Sequence, residues 1–268
     1  MKVGIIGFGR MGKQIAKRLL AEKIELVCAF DLPSHPDQDK DIGVIIGVEP
    51  IKVKLSSGET LKQVIQKTKP DIMIDFSLAD ACVNNAKIIT ENKINLVIGT
   101  TGFKEYQLKD IKTNISKNSV GAVISPNMSI GVNVFWKIVS DAAKLLKDYD
   151  IEIIEAHHIF KKDAPSGTAL KTAELVASAL DKSVDDCAVY GRHGSKERKN
   201  GEIGIHSIRA GDIIGDHTVL FATQGERIEI THRAHSRDAF VNGVIKAVKF
   251  VNGRIGIYDM SDVLKLNG

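Results

Sequence analysis

The sequence predicts an α/β fold in which a doubly wound parallel sheet is followed by a second α+β domain with a mostly antiparallel sheet. In roughly the first half of the chain, short apolar runs alternate with segments whose apolar residues recur every three or four positions. That alternation is typical of strands and helices that build a parallel sheet. Later, segments 203–209, 218–222 and 227–232 are predicted strands with no long helix between them, which favours antiparallel pairing.

A glycine-rich loop joins the first predicted strand, residues 2–6, to a segment with helical spacing. Its sequence is Gly7-Phe-Gly-Arg-Met-Gly12. The pattern Gly-x-Gly-x-x-Gly between a strand and a helix is the fingerprint of a Rossmann-type dinucleotide site. Gly7 permits a tight turn, Gly9 lets a pyrophosphate approach the backbone, and Gly12 lets the helix pack against the strand. The alternative is a structural turn without a ligand.

The second predicted strand ends in Asp31, about 20 residues beyond the glycines, where the fingerprint places an acidic partner for the adenosine ribose. Leu32 and Pro33 follow, and no arginine stands beside the carboxylate to bind a 2′-phosphate. The sequence therefore predicts NADH or NADPH as cofactor and favours NADH. Lys40 or Arg10 could still reach a 2′-phosphate.

Small and hydroxyl residues recur after the other predicted strands of the first half, residues 71–76, 96–98 and 122–125. Ligands of doubly wound folds bind at the carboxyl ends of such strands. Each loop alone is more often a cap or turn, but together they favour a cofactor site. The predicted cofactor-binding residues are Gly7, Phe8, Gly9, Arg10, Met11, Gly12, Asp31, Phe76, Gly99, Thr100, Thr101, Ser125, Pro126, Asn127 and Met128.

The stretch from Glu155 to Ala169 concentrates acid–base chemistry. A predicted strand over residues 151–156 leads to His157, His158 and Lys161, and Ser166 then opens a helix. Histidine can donate a proton near neutral pH, lysine is a compact cation, and a helix N-terminus binds anions. This combination predicts a pocket for a small anionic substrate that is protonated; the alternative is a surface loop with incidental histidines.

Composition and charge exclude several function classes. With 43% apolar and 26% charged residues, the chain has the composition of a soluble globular protein. A net charge of +4 does not argue for nucleic acid, and no apolar run approaches the length of a membrane span. The three cysteines lack close spacing, and Cys28 and Cys82 lie in apolar segments, so we expect core thiols and a cytoplasmic location without a signal peptide.

Two further motifs are assigned no chemistry. His232-x-x-His235 lacks an acidic third ligand at helical spacing, so no metal site is predicted. The basic run 192–199 lacks interleaved aromatic residues and is interpreted as a solvated or mobile loop, with a lid over an anionic substrate as the alternative. In the predicted helix 130–147, four residues are assigned to the core: Val132, Trp136, Ile138 and Val139.

The motif Glu155-Ala-His-His-x-x-Lys-x-Asp-Ala-Pro-Ser-Gly-Thr-Ala169 resembles the signature of the 4-hydroxy-tetrahydrodipicolinate reductase family, also called dihydrodipicolinate reductase, of lysine and diaminopimelate biosynthesis. The resemblance extends over nearly the whole chain. It includes Gly99-Thr-Thr-Gly-Phe103, Asn127-Met-Ser-Ile-Gly-Val-Asn133, Arg209-Ala-Gly-Asp212 and Tyr258-Asp-Met260. The glycine loop is one residue shorter than the Gly-x-x-Gly-Arg-Met-Gly form of many members.

The resemblance implies hydride transfer from NADH or NADPH to C4 of an unsaturated cyclic dicarboxylate, with loss of water and protonation of the resulting enamine. It implies that His157 is the proton donor and acceptor and that Lys161 is the second catalytic residue. Both would face the nicotinamide across a cleft between two lobes. The implied substrate-binding residues are His158, Ser166, Gly167, Thr168 and Thr101.

The implied domain organisation is a dinucleotide-binding domain over residues 1–127, completed by 238–268, and a substrate-binding and oligomerisation domain over 128–237. The resemblance also implies a homotetramer with contacts through the antiparallel sheets, and no nucleic-acid or membrane partner. Two other functions stay open: a different two-domain dehydrogenase acting on an amino acid or sugar, and a dinucleotide sensor without turnover.

Overall fold

The computed structural model describes residues 1–266. In chain order its strands are β1 (Lys2–Ile6), β2 (Glu25–Asp31), β3 (Leu55–Ser57), β4 (Ile72–Asp75), β5 (Asn95–Ile98), β6 (Gly121–Ile124), β7 (Asp150–His157), β8 (Ala188–Tyr190), β9 (Ile203–Arg209), β10 (Asp216–Thr223), β11 (Glu226–Arg233) and β12 (Gly256–Tyr258). Its helices are α1 (Arg10–Ala21), α2 (Ile42–Ile46), α3 (Leu61–Thr68), α4 (Ala79–Glu91), α5 (Glu105–Asn118), α6 (Ile130–Leu145), α7 (Gly167–Ala179), α8 (Val184–Cys187), α9 (Asp238–Val251) and α10 (Met260–Leu264), with a 3-10 turn at Gly58–Thr60.

The chain forms two compact units. One comprises Met1–Ser129 and Phe240–Gly268, and the other comprises Ile130–Ala239. The last two residues of the predicted segment 238–268 lie outside the described residues. The assignment of substrate binding and oligomerisation to the second unit stays a prediction.

The first unit is built on a seven-stranded parallel sheet in the order β3-β2-β1-β4-β5-β6-β12. The chain reverses its direction of winding between β1 and β4, and this is the switch point at which doubly wound sheets bind ligands. Ile5 and Ile6 lie in two different hydrophobic clusters because successive strand residues point to opposite faces. Helices therefore cover both faces, and the predicted doubly wound fold is confirmed.

The second unit contains a five-stranded sheet in the order β11-β10-β7-β9-β8. The pairs β11–β10 and β10–β7 are antiparallel, whereas β7–β9 and β9–β8 are parallel. More residue pairs are thus antiparallel than parallel, and the predicted second domain with a mostly antiparallel sheet is confirmed. The parallel pairing of β7 with β9 arises because α7 lies between them in the chain, and a helical crossover returns the chain parallel to the strand it left.

Helices α6 and α7 supply the core of the second unit. Trp136 is buried and donates from Nε1 to the hydroxyl of Thr172 at 3.1 Å, so its predicted core position is confirmed. Ile138, predicted to join it, is 49% exposed. Two residues correspond to about 200° around a helix, so Ile138 faces away from the buried stripe that contains Val132, Trp136 and Val139.

The three cysteines are free thiols with buried side chains, which confirms the predicted core positions of Cys28 and Cys82. Burial raises the pKa of the Cys28 thiol to about 11, so it is not a reactive thiolate. Within the described 266 residues, no helix has the length and apolar character required to cross a bilayer.

Candidate active site

The glycine loop between β1 and α1 forms an open cradle. Gly7 has φ of +85°, and a Cβ there would lie 2.4 Å from the carbonyl oxygen of Phe76. A Cβ on Gly12 would lie 2.2 Å from the carbonyl oxygen of Gly7, so both positions exclude a side chain. Above Gly9 the space is open, and no side chain caps the start of α1. Free N–H groups and the positive end of the helix dipole suit a pyrophosphate, so this loop fits a dinucleotide.

Asp31 lies at the carboxyl end of β2 beside this loop. Its Oδ2 accepts from the backbone N–H of Phe8 at 2.6 Å, and its Oδ1 accepts from the N–H of Leu32 at 2.7 Å. The carboxylate is thereby oriented, and each oxygen keeps acceptor capacity for ribose hydroxyls. Phe8 itself is fully buried, so its side chain belongs to the core and does not face a cofactor.

The two cations considered for a 2′-phosphate differ in their surroundings. Lys40 Nζ is held by Asp37 Oδ1 at 2.9 Å, and Lys13 Nζ contacts the other oxygen of the same carboxylate at 3.1 Å. These pairs depress the pKa of Asp37. Arg10 is exposed at the start of α1.

A buried carboxylate, Asp75, connects the loops that follow β4 and β5. Its Oδ1 accepts from Ser77 N at 2.9 Å, from Ser77 Oγ at 2.6 Å and from Thr100 Oγ1 at 3.1 Å. Asn85 Nδ2 donates to Oδ2 at 2.9 Å. The hydroxyl of Thr100 is thus committed to the fold. Sequence reasoning missed Asp75, although an acid at the end of an apolar strand was a usable signal.

The remaining predicted cofactor residues lie in loops at the same edge of the sheet. The ring of Phe76 covers Gly99, where a Cβ would come within 2.2 Å of it. After β6, Ser125 Oγ donates to the carbonyl of Asn127 at 2.8 Å. Met128 is buried in the core, whereas Thr101 and Pro126 are exposed.

In the second unit, the buried face of β7 carries two of the charged residues of the signature motif. Glu155 is fully buried, and its Oε2 lies 2.5 Å from Nδ1 of His157. Arg209 donates through both terminal nitrogens, at 2.8 Å to each carboxylate oxygen. Ser166 N donates to Oε1 at 3.1 Å. Burial alone would raise the pKa of Glu155, but the hydrogen bonds from His157 and Arg209 outweigh it and hold that pKa far below its usual range.

Ser166 is the N-cap of α7, and its Oγ accepts from Ala169 N at 3.1 Å, which confirms that Ser166 opens this helix. The same oxygen lies 3.1 Å from Nε2 of His217, and the rings of His217 and His157 meet edge to face at 5.2 Å. Burial, reinforced by the neighbouring charge of His157, lowers the pKa of His217 to about 3. His217 was missed from the sequence, although alternation with Val219 and Phe221 on β10 places it on the buried face.

The loop between β7 and α7 carries the other predicted residues. Lys161 Nζ is bound by both oxygens of Asp163, at 2.8 and 2.9 Å. Arg209 Nη2 donates to the carbonyl of Asp163 at 2.6 Å and so ties this loop to β9. Across residues 1–266, no hydrogen-bond partner reaches the buried Nδ1 atom of His158. Gly167, at the first turn of α7, is exposed.

The lowered pKa of His217 makes the free energy of unfolding depend on pH. An imidazole in the unfolded chain titrates near pH 6.5, whereas folded His217 stays neutral down to about pH 3. Between these values only the unfolded state gains this proton, so acidification lowers the free energy of unfolding by about 1.4 kcal/mol per pH unit from this group. Chemical denaturation between pH 6.5 and 5 should therefore show a smaller pH slope for His217→Gln than for the wild type.

The range from pH 6.5 to 5 separates the effect of His217 from that of Glu155. The depressed pKa of Glu155 makes stability depend on pH only below the ordinary value of 4.5. Above about pH 7.5 the two slopes should coincide, since neither state then protonates the imidazole. Equal slopes between pH 6.5 and 5 would contradict the assignment of a neutral buried His217.

The basic run 192–199 and the motif His232-x-x-His235, which are assigned no chemistry, contact other residues of the second unit. Arg192 and Arg198 of the basic run both donate to Glu152, at 2.8 and 3.2 Å, and Arg192 also pairs with Glu202. The ring centroids of His232 and Phe135 lie 6.4 Å apart. Within the described residues, no three His, Cys, Asp or Glu side chains are grouped as a metal site.

The two units each match one part of a known enzyme family. Residues 1–128 match the profile of the dihydrodipicolinate reductase N-terminus, and residues 131–264 match that of the dihydrodipicolinate reductase C-terminus. The chain belongs to the dihydrodipicolinate reductase family. The predicted resemblance is thereby confirmed, and the chain is an oxidoreductase of a family that depends on NADH or NADPH.

Full-length relatives of the family agree. The chain is 52% identical over 271 residues to the 4-hydroxy-tetrahydrodipicolinate reductase of Methanocaldococcus jannaschii, covering 100% of this chain and 98% of the relative. It is 47% identical over 274 residues to the protein of that name from Methanothermobacter thermautotrophicus, covering 100% of both. A dipicolinate-bound dihydrodipicolinate reductase from Paenisporosarcina superposes with a TM-score of 0.76 at 27% identity over 97% of each chain. These matches favour the reductase over the sensor and over other dehydrogenases.

Proposed function

We propose that this chain reduces 4-hydroxy-tetrahydrodipicolinate to tetrahydrodipicolinate with NADH or NADPH, a step of lysine and diaminopimelate biosynthesis. The observation that carries the proposal is the imidazole of His157, bound by a carboxylate that also accepts from the N-cap residue of α7, in a chain that matches the family over both units. The dipicolinate bound to the Paenisporosarcina relative supports a ring with two carboxylates as ligand. We expect the enzyme in the cytoplasm.

The substrate carboxylates are proposed to bind where the second unit offers positive charge at the start of a helix. The N-terminus of the 13-residue helix α7 presents Ser166, Gly167 and Thr168 and the positive end of its dipole. His158, in the loop before this helix, adds an imidazole. We assign Thr101, exposed after β5, to the far end of the substrate.

The proton step is assigned to His157 and Lys161. Glu155 stabilises the protonated ring of His157, so the imidazolium can donate to the carbon that becomes electron-rich on reduction. The ammonium of Lys161 has three donors, so it can bind substrate while it remains paired with Asp163. When bound, the nicotinamide cofactor supplies the hydride.

The cofactor is proposed to bind over the glycine loop, with Asp31 on the adenosine ribose. Gly9 leaves the space in which a pyrophosphate can approach the backbone, and the start of α1 offers its N–H groups. We propose a preference for NADH. The carboxylate of Asp31 accepts from ribose hydroxyls but repels a 2′-phosphate, and Asp37 pairs with both Lys13 and Lys40, which offsets part of their positive charge.

Asp31→Asn tests the preference. We expect the dissociation constant for NADH to rise by about tenfold, the loss of one hydrogen bond to a charged group, while NADPH weakens less because its phosphate is no longer repelled. Fluorescence titration of both cofactors measures the ratio. Asp39→Asn, in the exposed loop that follows, is the matched control and should leave both constants unchanged. An unchanged ratio in Asp31→Asn would remove the argument for NADH.

The activity itself is tested by steady-state oxidation of NADH with freshly prepared 4-hydroxy-tetrahydrodipicolinate. The proposal predicts turnover that requires both substrates. Binding of NADH without consumption would indicate a sensor, and turnover with an amino acid or sugar instead would indicate another dehydrogenase. NADH without the dicarboxylate is the blank.

The assembly is proposed to be a homotetramer with contacts through the sheet of the second unit. On the face of this sheet opposite its buried core residues, Ile208 pairs with Ala156 and is 46% exposed in the single chain. Apolar side chains on such a face are typical of a subunit contact. Light scattering that gives the mass of one 29.2-kDa chain would reject the tetramer.

A further inference from the structure

Glu155 is a buried charge to which the proposed reaction assigns no direct contact with substrate. It is fully buried, and each of its oxygens accepts two hydrogen bonds: Oε2 from His157 and Arg209, Oε1 from Arg209 and Ser166. A buried carboxylate costs free energy unless it is paired. The fork of Arg209 supplies the opposite charge and holds the carboxylate plane in one orientation.

This arrangement determines which nitrogen of His157 carries the proton. An ionised carboxylate only accepts hydrogen bonds, and Glu155 stays ionised because its pKa is far below the usual range. The ring nitrogen at 2.5 Å from Oε2 must therefore be the donor, so Nδ1 is protonated in both charge states of the ring. In the neutral ring, Nε2 is then left with a free lone pair.

The other ring nitrogen lies beside Gly215. A Cβ at that position would lie only 3.1 Å from Nε2 of His157, so the glycine avoids crowding this nitrogen with a side chain. The side chain of His157 is 10% exposed. The charged and titratable groups around the ring come from four elements. Glu155 lies on its own strand, Arg209 on β9, His217 on β10, and Lys161 with Asp163 in the loop before α7.

We propose that Glu155 is a positioning residue that fixes His157 as the Nδ1–H tautomer and leaves Nε2 as the single atom through which this imidazole donates and regains the proton. The same carboxylate accepts from the N–H of Ser166, so it also ties the imidazole to the start of α7, where a substrate carboxylate is proposed to bind. Arg209 balances its charge. The inference deepens the function proposed above and rests on it for its kinetic consequences, but not for the tautomer.

The tautomer is measured directly by NMR of protein labelled with 15N-histidine. The chain has eight histidines, and the signals of His157 are assigned by their loss in His157→Gln. At a pH where the ring is neutral, the wild type should show a protonated Nδ1 and an unprotonated Nε2. A protonated Nε2 in the wild type would overturn the proposal whatever the enzyme's substrate is, and this result needs no variant at position 155 to fold.

Glu155→Gln should reverse the tautomer. The amide has one acceptor oxygen, and neither Nη2 of Arg209 nor the N–H of Ser166 can change from donor to acceptor, so we expect the oxygen to take the place of Oε1, which both of them contact, while Nη1 of Arg209 loses its acceptor. The amide NH2 then faces Nδ1 of His157, which must accept, and the proton moves to Nε2. An unchanged tautomer in Glu155→Gln would contradict the proposed role of the carboxylate.

The kinetic readouts separate positioning from a structural role. Glu155→Gln should lower kcat by about a hundredfold, the scale of general acid catalysis, with an unchanged dissociation constant for NADH. The pH profile of kcat should change as well, because the proton of the neutral ring then sits on Nε2 and no longer on Nδ1. Glu155→Asp, which keeps the carboxylate, should restore part of kcat and the wild-type pH profile. Normal kcat with an unshifted profile would overturn the proposal.

Glu152→Gln is the matched control. Glu152 lies on the same strand, three residues away and therefore on the opposite face, and binds Arg192, Arg198 and His206 in a similar cluster. It should lower thermal stability without shifting the pH profile; equal kinetic losses in both variants would mean that Glu155 is only structural. If the wild type does not turn over the dicarboxylate, the proposed function fails while the NMR result still decides the role of Glu155.

Discussion

His157→Gln should lower kcat by about a hundredfold or more and leave the dissociation constant for NADH unchanged. Glutamine fills nearly the same space and can still donate to Glu155, which lies 2.5 Å from Nδ1 of the native ring. It cannot carry a transferable proton at neutral pH, so it removes general acid catalysis, which contributes 10²- to 10⁴-fold. Stopped-flow or steady-state oxidation of NADH measures kcat, and NADH fluorescence measures binding.

The control for this variant is His206→Gln. His206 is also paired with a carboxylate, because its Nε2 lies 2.7 Å from Oε2 of Glu152. It belongs to the cluster around Glu152, which is separate from the one around Glu155. It should keep near-normal kcat. Near-normal turnover in His157→Gln itself would reject the assigned proton donor, and a parallel loss in both variants would point to general destabilisation of the sheet.

Lys161→Ala should also lower kcat by about a hundredfold or more. The side chain of Lys161 is only 22% exposed, and its ammonium is held by Asp163 at 2.8 Å, so it is oriented before substrate binds. A cation in a partly desolvated site stabilises negative charge more strongly than in bulk water. Its removal also leaves Asp163 without its partner, so the affinity for a dicarboxylate should fall, with a higher KM.

Lys162→Ala provides the matched comparison for Lys161→Ala. Lys162 is the next residue of the same loop and is exposed. Both substitutions remove one positive charge and shorten one side chain, so they differ in position alone. Equal, small effects of the two variants on kcat would show that Lys161 acts through the general field of the loop and not as a catalytic group.

The first unit was predictable because its signals are local in sequence. Glycines in the first turn of a helix, an acid at the end of a strand and alternating apolar runs each involve neighbours within about 30 residues. The predicted loop fits a dinucleotide because Gly7 and Gly12 stand where a Cβ would strike backbone oxygens. The family signature likewise lies in one short segment.

The network behind the signature could not be predicted because its partners are remote. Arg209 meets Glu155 across 54 residues, and Ser166 meets His217 across 51. Nothing in the local pattern of any of these segments states which strand neighbours which. The mixed order of the second sheet has the same origin, since three consecutive strand-like segments do not reveal that β9 pairs with β7 through the crossover formed by α7.

The most direct test is a crystal structure of the complex with NAD⁺ and dipicolinate. The account predicts Nε2 of His157 and Nζ of Lys161 within hydrogen-bond distance of the bound ring or its carboxylates, and the nicotinamide C4 within about 3–3.5 Å of the ring carbon that would receive the hydride. Dipicolinate bound elsewhere, with His157 and Lys161 remote from both ligands, would contradict it.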